Sequence, residues 1–258
     1  MKDFFFLSYP TSGRTMWRRL QPAIILSRHG YATRIICVND PYDAAFSTKD
    51  DERDMRVQGQ AHIPNTYMKL GDPFPCTVSF KTLLCSSRNK GRMQALICSY
   101  LTDVVQRVNQ EIVYSVNSVG SRCTNLSTEQ PMQDYSFDQS EADTILFSTY
   151  AVLRESGCND PVVIDTVDTD AYVVAAVLSH QLPGVLCIKR KQDMVSCSCL
   201  VTDEMADCIV QLHCMTGCDP NSGFYGKGKI SLYAKVAKSP LARQQLGRCG
   251  DGLIMEKT

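Results

Sequence analysis

Several features that would assign a function at once are missing from this sequence. The 27 lysines and arginines are balanced by 27 aspartates and glutamates, which argues against a strongly electrostatic nucleic-acid binder of the histone type. A balanced total remains compatible with a nuclease, because an acidic site and a basic rim cancel in the sum. The glycine-rich dinucleotide motif, the P-loop and the G-x-S-x-G motif are also lacking. The sequence therefore gives no support to dinucleotide-binding, NTP-binding or serine-hydrolase interpretations.

Long apolar runs and an ordered cysteine pattern are lacking as well. No run approaches the roughly 20 residues that span a bilayer, so we expect a soluble protein with no membrane partner. Met1–Leu7 is too short for a signal peptide and contains an acid. The 13 cysteines are odd in number, and many lie in apolar runs, as Cys37 and Cys98 do, where cysteine acts as a small hydrophobic residue. We expect a reducing intracellular compartment, either nucleus or cytoplasm.

Helical and strand patterns alternate along the first 200 residues. The hydrophobic share of 44% is ample for a core. The patterns predict strands at Thr33–Val38, Glu111–Val116, Pro161–Val167 and Gly184–Ile188, and helices at Trp17–Ser27, Arg88–Val108, Ser140–Gly157 and Ala171–Ser179. Such alternation indicates an α/β fold with a mostly parallel sheet and flanking helices. From Thr202 onward only helices are predicted, which places a boundary near residue 200; Phe46–Arg56 is a solvated charged segment, and the polar stretch Arg122–Tyr135 predicts no element.

Acidic residues follow two of these strands and open one of the helices. Asp40 and Asp168 come after strands, and the carboxyl ends of parallel strands meet at one edge of a sheet. Asp168 and Asp170, two residues apart in an extended segment, would point the same way, and Glu141 and Asp143 would lean into the same crevice. Clustered carboxylates favour a hard cation, Mg²⁺ or Mn²⁺. Two such ions would activate water for phosphodiester hydrolysis.

Each acidic residue also has a structural interpretation. Ser140 and Asp143 fit a capping box, Asp168 or Thr169 fits an N-cap, and Asp219 fits a turn beside proline. Any one of them alone is better explained in this way. Their combination favours the metal site.

The stretch around His213 allows further alternatives. His213 follows Ile209 by one helical turn, which predicts a core histidine hydrogen-bonded to the backbone. A zinc site is the competing interpretation, since Cys214 and Cys218 have a permitted spacing, yet a second pair is lacking. A zinc-stabilised interaction module therefore remains an alternative, as does a cysteine–histidine catalytic pair, although no single thiol is marked out.

Three motifs together resemble a known family. Glu141–Thr144 reads E-A-D-T, Asp165–Asp170 reads D-T-V-D-T-D, and His213–Lys229 contains H-x-x-T-G-C-D followed by a glycine- and lysine-bearing hairpin. This order resembles the flap-endonuclease-like branch of the PIN-domain nucleases, most of all its uncharacterised, transposon-associated PIN-like proteins. The resemblance extends over roughly residues 30 to 248 and is sharpest in the second half.

The resemblance implies a fold, a reaction and a set of site residues. Residues 1–200 would form a PIN-like domain, and residues 201–258 a small helix–three-turn–helix-like module that binds the DNA backbone. The implied activity is that of a structure-specific 5′ nuclease with two Mg²⁺ or Mn²⁺ ions. The implied catalytic and metal-binding residues are Asp40, Glu141, Asp143, Asp168, Asp170 and Asp219. The implied nucleic-acid-binding residues are Lys49, Arg53, Arg56, Gly223, Gly226, Lys227, Gly228 and Lys229.

One departure from the family pattern concerns the start of the chain. The family begins with a strand that ends in aspartate, well ahead of the position of Asp40. Asp3 has no strand before it, so we expect the first strand and its aspartate to be missing and the PIN-like domain to be N-terminally truncated. The alternative function is therefore a non-catalytic, degenerate PIN-like protein that binds nucleic acid or a protein partner.

Overall fold

The structure is a computed structural model that describes residues 4–8, 30–40, 87–105, 110–116, 122–128, 130–132, 141–166, 168–190, 193–218, 223 and 228–248. The predicted helix Trp17–Ser27 and the charged segment Phe46–Arg56 lie outside these residues. In the described part of the chain, no helix combines the length and the apolar character needed to cross a membrane.

Eight strands form one mixed sheet in the described residues. They are β1 (Phe4–Ser8), β2 (Arg34–Val38), β3 (Glu111–Val116), β4 (Arg122–Asn125), β5 (Gln130–Met132), β6 (Val162–Asp165), β7 (Leu186–Arg190) and β8 (Asp193–Ser196). The order across the sheet is β5-β4-β3-β2-β1-β6-β7-β8. The five central strands are parallel, and β4, β5 and β8 add to the two edges in antiparallel orientation. The predicted α/β class is confirmed.

A strand, β1, lies near the start of the chain, where the sequence patterns predicted none. β1 lies at the centre of the sheet, where Phe4 pairs with Arg34 of β2 and with Val162 of β6. Phe4–Leu7 is a continuous apolar run, as is typical of a strand with both faces covered. β1 ends at Ser8, so no aspartate stands at the end of this strand.

Three longer helices accompany the sheet: α1 (Ser87–Val105), α2 (Ala142–Glu155) and α3 (Thr169–Gln181). The predicted apolar stripe of α1 is confirmed where its side chains are described, since Met93, Ile97 and Leu101 are buried one turn apart. On α3 the buried residues are alanines, Ala175 among them, and small side chains allow a helix to approach a sheet closely.

Four short helices follow the sheet: α4 (Asp203–Ala206), α5 (Ile209–Met215), α6 (Lys229–Ala237) and α7 (Pro240–Gly247). Together they are called the helical module here. Their own core consists of Met205, Cys208, Leu212 and Val236. α4 and α5 contact α3, so that the module is joined to the α/β part through that helix.

Candidate functional site

The chain order of the strands places the switch point of the sheet at the carboxyl ends of β1 and β6, and this acidic region is called the acidic crevice here. From β1 the sheet grows outward through β2 and β3, and then it continues on the other side of β1 with β6 and β7. Ligands of open α/β sheets bind where the growth direction reverses in this way. Ser8 ends β1, Asp165 ends β6, and Asp40 follows β2 by two residues. The sequence-predicted acidic edge therefore coincides with the switch point of the sheet.

Asp40 is bonded to the start of α2. Its Oδ1 accepts a hydrogen bond of 2.9 Å from the backbone N–H of Ala142, the first residue of the helix. Gln94 of α1 donates to the Asp40 carbonyl oxygen at 3.1 Å, so a second helix fixes the same residue. A carboxylate at a helix N-terminus is favoured by the helix dipole and by the unpaired amides of the first turn. Asp40 thus lies beside the start of α2, which carries two further acids.

Glu141 and Asp143 occupy the start of α2, as predicted, but without the capping box. Glu141 is the N-cap residue, and its side chain makes no capping bond. Asp40 supplies the acceptor from a distant part of the chain instead. Glu141 and Asp143 are both half-buried. The helix start therefore brings three carboxylates of the predicted site into one neighbourhood.

Asp168 and Asp170 take two different positions at the start of α3. Asp168 is the N-cap, and its Oδ1 accepts from the N–H of Asp170 at 2.9 Å, which confirms the capping interpretation. The N–H of Asp168 donates to Thr166 Oγ1 at 3.1 Å. Asp170 belongs to the first helical turn, so the expectation of two extended residues pointing the same way is wrong. The helix begins at Thr169, between the two aspartates, so the extended backbone ends before Asp170.

His213 of the helical module reaches the Asp170 carboxylate. Its Nε2 lies 3.0 Å from Asp170 Oδ1, and the His213 side chain is only 12% exposed while that of Asp170 is 32% exposed. The other ring nitrogen, Nδ1, lies 3.5 Å from Nζ of Lys229. The expected bond from His213 to the backbone is therefore replaced by contacts with two charged side chains. The H-x-x-T-G-C-D motif contained this residue, but sequence alone gave no reason to pair it with Asp170.

Two positions after α5, Gly217 and Gly223, require glycine. Gly217 has a φ of 97°, which a side chain would strain. A Cβ on Gly223 would lie 2.3 Å from the carbonyl oxygen of Thr216, so the chain passes there with no room for a side chain. Gly228 is the N-cap of α6, and Lys229 is its exposed first residue. Three members of the predicted backbone-binding set are thus held at the start of α6 or in the turn before it.

A small apolar cavity lies beside His213. It has a volume of about 290 Å³, and Leu212, Thr216, Ile230 and Tyr233 contribute to its lining together with His213 and Lys229. Ile230 is 89% exposed. The contact between His213 and Lys229 therefore borders an apolar surface at the start of α6.

The described side chains do not form a ready-made metal cage. Among the residues that the structure describes, no three His, Cys, Asp or Glu side chains converge closely enough to hold an ion, and this applies equally to the zinc alternative at Cys214 and Cys218. The predicted ligand Asp219 lies outside the described residues. So do the predicted nucleic-acid contacts Lys49, Arg53, Arg56, Gly226 and Lys227.

The chain was also compared with family models, with curated proteins and with solved structures, and none of them matches it.

Proposed function

We propose that this protein is a divalent-metal-dependent nuclease of the PIN-like type, which hydrolyses phosphodiester bonds of nucleic acid. The proposal is supported by the topology of the sheet: Asp40 follows β2, Asp168 and Asp170 follow β6, and these two parallel strands flank β1 at the switch point. Asp40 is bonded to the helix start that bears Glu141 and Asp143, and Asp170 is bonded to the helical module. The order β3-β2-β1-β6-β7 of the parallel strands supports a PIN-like core.

The donor chemistry of this crevice fits Mg²⁺ or Mn²⁺. Both are hard cations that prefer carboxylate oxygens, and Mg²⁺ keeps several waters and is commonly held by only one or two carboxylates together with substrate phosphates. A three-ligand cage is thus not required before substrate arrives. One or two of Asp40, Glu141 and Asp143 would hold an ion together with waters and substrate phosphate, and Asp168, Asp170 and Asp219 are the other proposed ligands.

The chain's own residues orient these carboxylates. The Ala142 amide fixes one oxygen of Asp40, the Asp170 amide fixes one oxygen of Asp168, and His213 fixes one oxygen of Asp170. A bound divalent ion would lower the pKa of its water and polarise the scissile phosphate. Outer hydrogen bonds of this kind orient ligands and raise metal affinity.

Nucleic acid is proposed to approach along the helical module. Lys229 is exposed at the start of α6, and contacts from lysines and backbone amides to phosphates are independent of sequence and weaken with salt. Lys227, together with Lys49, Arg53 and Arg56, would extend the same backbone contact. DNA is the expected substrate.

The proposal is tested by cleavage of a labelled 5′-flap DNA in Mn²⁺. The double variant Asp168→Asn/Asp170→Asn should lose cleavage, while its folding should be retained because asparagine is as good an N-cap as aspartate. Asp193→Asn, at an exposed position in β8, is the matched control and should cleave normally. Equal cleavage by the double variant and the native protein would rule out a catalytic role for this pair.

Two substitutions of Asp40 distinguish a structural role of its side chain from a metal-binding role. Asp40→Asn keeps an oxygen that can accept from the Ala142 amide, so its thermal stability should match that of the native protein. Asp40→Ala loses the acceptor and should be destabilised by about 1 kcal/mol, as for other lost caps. Both variants should lose Mn²⁺-dependent cleavage, because both lose the charge. Thermal unfolding and the flap assay measure the two effects independently, and a fully active Asp40→Asn would exclude Asp40 as a ligand.

A second candidate is a non-catalytic protein that binds nucleic acid with the same fold. It is favoured by Ser8, which ends the central strand where the PIN-like resemblance implies an aspartate. Salt-dependent DNA binding measured by fluorescence anisotropy in EDTA, combined with no cleavage in Mn²⁺, would select this candidate.

A further inference from the structure

His213 is the residue through which the helical module touches the acidic crevice. It lies on α5, whereas Asp170 lies in the first turn of α3, and the two helices pack against each other. The imidazole is largely shielded from solvent, so its position is set by packing and by its two charged neighbours.

The hydrogen-bond roles at the ring follow from the chemistry of those neighbours. An ammonium group has only donors, so Lys229 Nζ can approach Nδ1 only if Nδ1 is an acceptor. The hydrogen of the neutral ring is then on Nε2, from where it is donated to Asp170 Oδ1. Lys229 thereby favours the tautomer that bonds to the carboxylate.

We propose that His213 is a positioning residue for Asp170: it fixes one carboxylate oxygen so that Asp170 is oriented for a divalent ion, and Lys229 supports it from the other ring nitrogen. The inference rests on the proposed function, in which Asp170 is a metal ligand. It makes the start of α6 part of the metal site as well as part of the nucleic-acid contact.

The positioning role of His213 is tested with two substitutions of similar size, glutamine and asparagine. Their side-chain amides lie at different distances from the backbone. In His213→Gln the side-chain NH₂ can reach the position of Nε2, so the bond to Asp170 is retained. In His213→Asn the shorter side chain corresponds to Nδ1, so that bond is lost. Binding of Mn²⁺ is measured by the loss of the free-ion EPR signal. We expect His213→Asn to weaken Mn²⁺ binding by about 10- to 100-fold, as for other lost outer-shell bonds, and His213→Gln to restore most of it.

A second histidine–aspartate pair supplies the control. His180, at the other end of α3, has Nδ1 2.8 Å from Oδ1 of the exposed Asp203. His180→Asn should leave Mn²⁺ affinity unchanged. Lys229→Met should weaken Mn²⁺ binding by a smaller factor than His213→Asn, and Lys235→Met, at another exposed position on α6, should not.

A double-mutant cycle distinguishes positioning from a general structural effect. If His213 acts through Asp170, then His213→Asn should have no further effect on Mn²⁺ affinity in an Asp170→Asn background. Thermal unfolding of every variant is recorded alongside. Equal Mn²⁺ affinities for folded His213→Asn and His213→Gln would overturn the inference, and so would an undiminished effect in the Asp170→Asn background.

The same titration separates this inference from the proposed function. A native protein that binds Mn²⁺ but cleaves no flap substrate would refute hydrolysis, while the histidine variants would still decide the positioning role. A native protein that binds no Mn²⁺ would overturn both.

Discussion

Arg154 shows how a single charged residue is accommodated in the interior. Its side chain is 4% exposed and donates to three backbone carbonyls, those of Cys158 at 2.7 Å, Asp160 at 2.8 Å and Val185 at 3.1 Å. The guanidinium also lies 4.9 Å from the ring centre of Tyr150. The arginine therefore joins the end of α2 to the segments that lead into β6 and β7, whose far ends lie at the acidic crevice.

The described cysteines lie in different environments. Cys197 is fully buried, and burial, followed by the nearby Cys187, raises the pKa of its thiol from 9.0 to about 12. Cys199, two residues later, is exposed. The thiolate form that reacts with alkylating agents is thus suppressed at Cys197.

We predict that iodoacetamide at pH 9 modifies Cys199 and spares Cys197 in the folded protein. A rise in the pKa from 9.0 to about 12 lowers the thiolate fraction at pH 9 by about 500-fold, and burial hinders access further. Fragment-ion mass spectrometry of the peptide locates the label, and urea-unfolded protein should be labelled at both positions. Since the folded pKa exceeds the unfolded one, the contribution of Cys197 to the free energy of unfolding falls as pH rises from 9 towards 12. Rapid labelling of Cys197 in the native state would contradict this assignment.

At the level of helices and strands, long periodic segments and most continuously apolar ones were predictable from sequence, although the apolar run of β1 was not recognised as a strand. The strand Glu111–Val116 has the predicted bounds, and α1 and β6 were found where their patterns placed them. β4, β5 and β8 were missed because short antiparallel strands at a sheet edge are stabilised mainly by pairing with a neighbour, which no local pattern records. The bond from Asp40 to Ala142 and that from Asp170 to His213 were unpredictable for the same reason, as each joins residues far apart in the chain.

The turn between α5 and α6 gives a prediction with an internal control. Gly223→Ala would place a Cβ 2.3 Å from the Thr216 carbonyl oxygen, so the turn must open, and we expect a loss of about 2 kcal/mol or more in the free energy of unfolding. Gly228→Ala meets no atom within 4 Å and has an ordinary negative φ. It should cost less, roughly 0.5 to 1 kcal/mol, because alanine is a poorer N-cap residue than glycine. Urea unfolding of both variants tests the difference, which should vanish if the close approach is absent in solution.

At the level of the whole molecule, the helical module depends on the α/β part. Its helices contain only four to nine residues each, which is shorter than the roughly 12 to 15 residues that an isolated helix needs. Its core has four buried side chains, and α3 covers part of its surface. The contact between Asp170 and His213 therefore forms only when both parts are folded together.

We predict that residues 201–258 expressed alone show little helical circular dichroism and no cooperative thermal transition. Too little apolar surface is buried within the module to offset the entropy of ordering it. The full chain, recorded under the same conditions, provides the reference signal. A cooperative transition in the isolated segment would show instead that the module is an independent domain.

The central position of β1 has a consequence for synthesis on the ribosome. Phe4 and its neighbours pair on one side with β6, which begins only at Val162, beyond the midpoint of the 258-residue chain. At about 5 to 20 residues per second, the strand Phe4–Ser8 spends several seconds outside the exit tunnel before that partner has been translated. One edge of a strongly apolar strand is unpaired throughout this interval, which is the condition under which nascent chains recruit chaperones or aggregate. The acidic crevice, whose two halves lie on either side of β1, is consequently assembled late, once the second half of the chain has emerged.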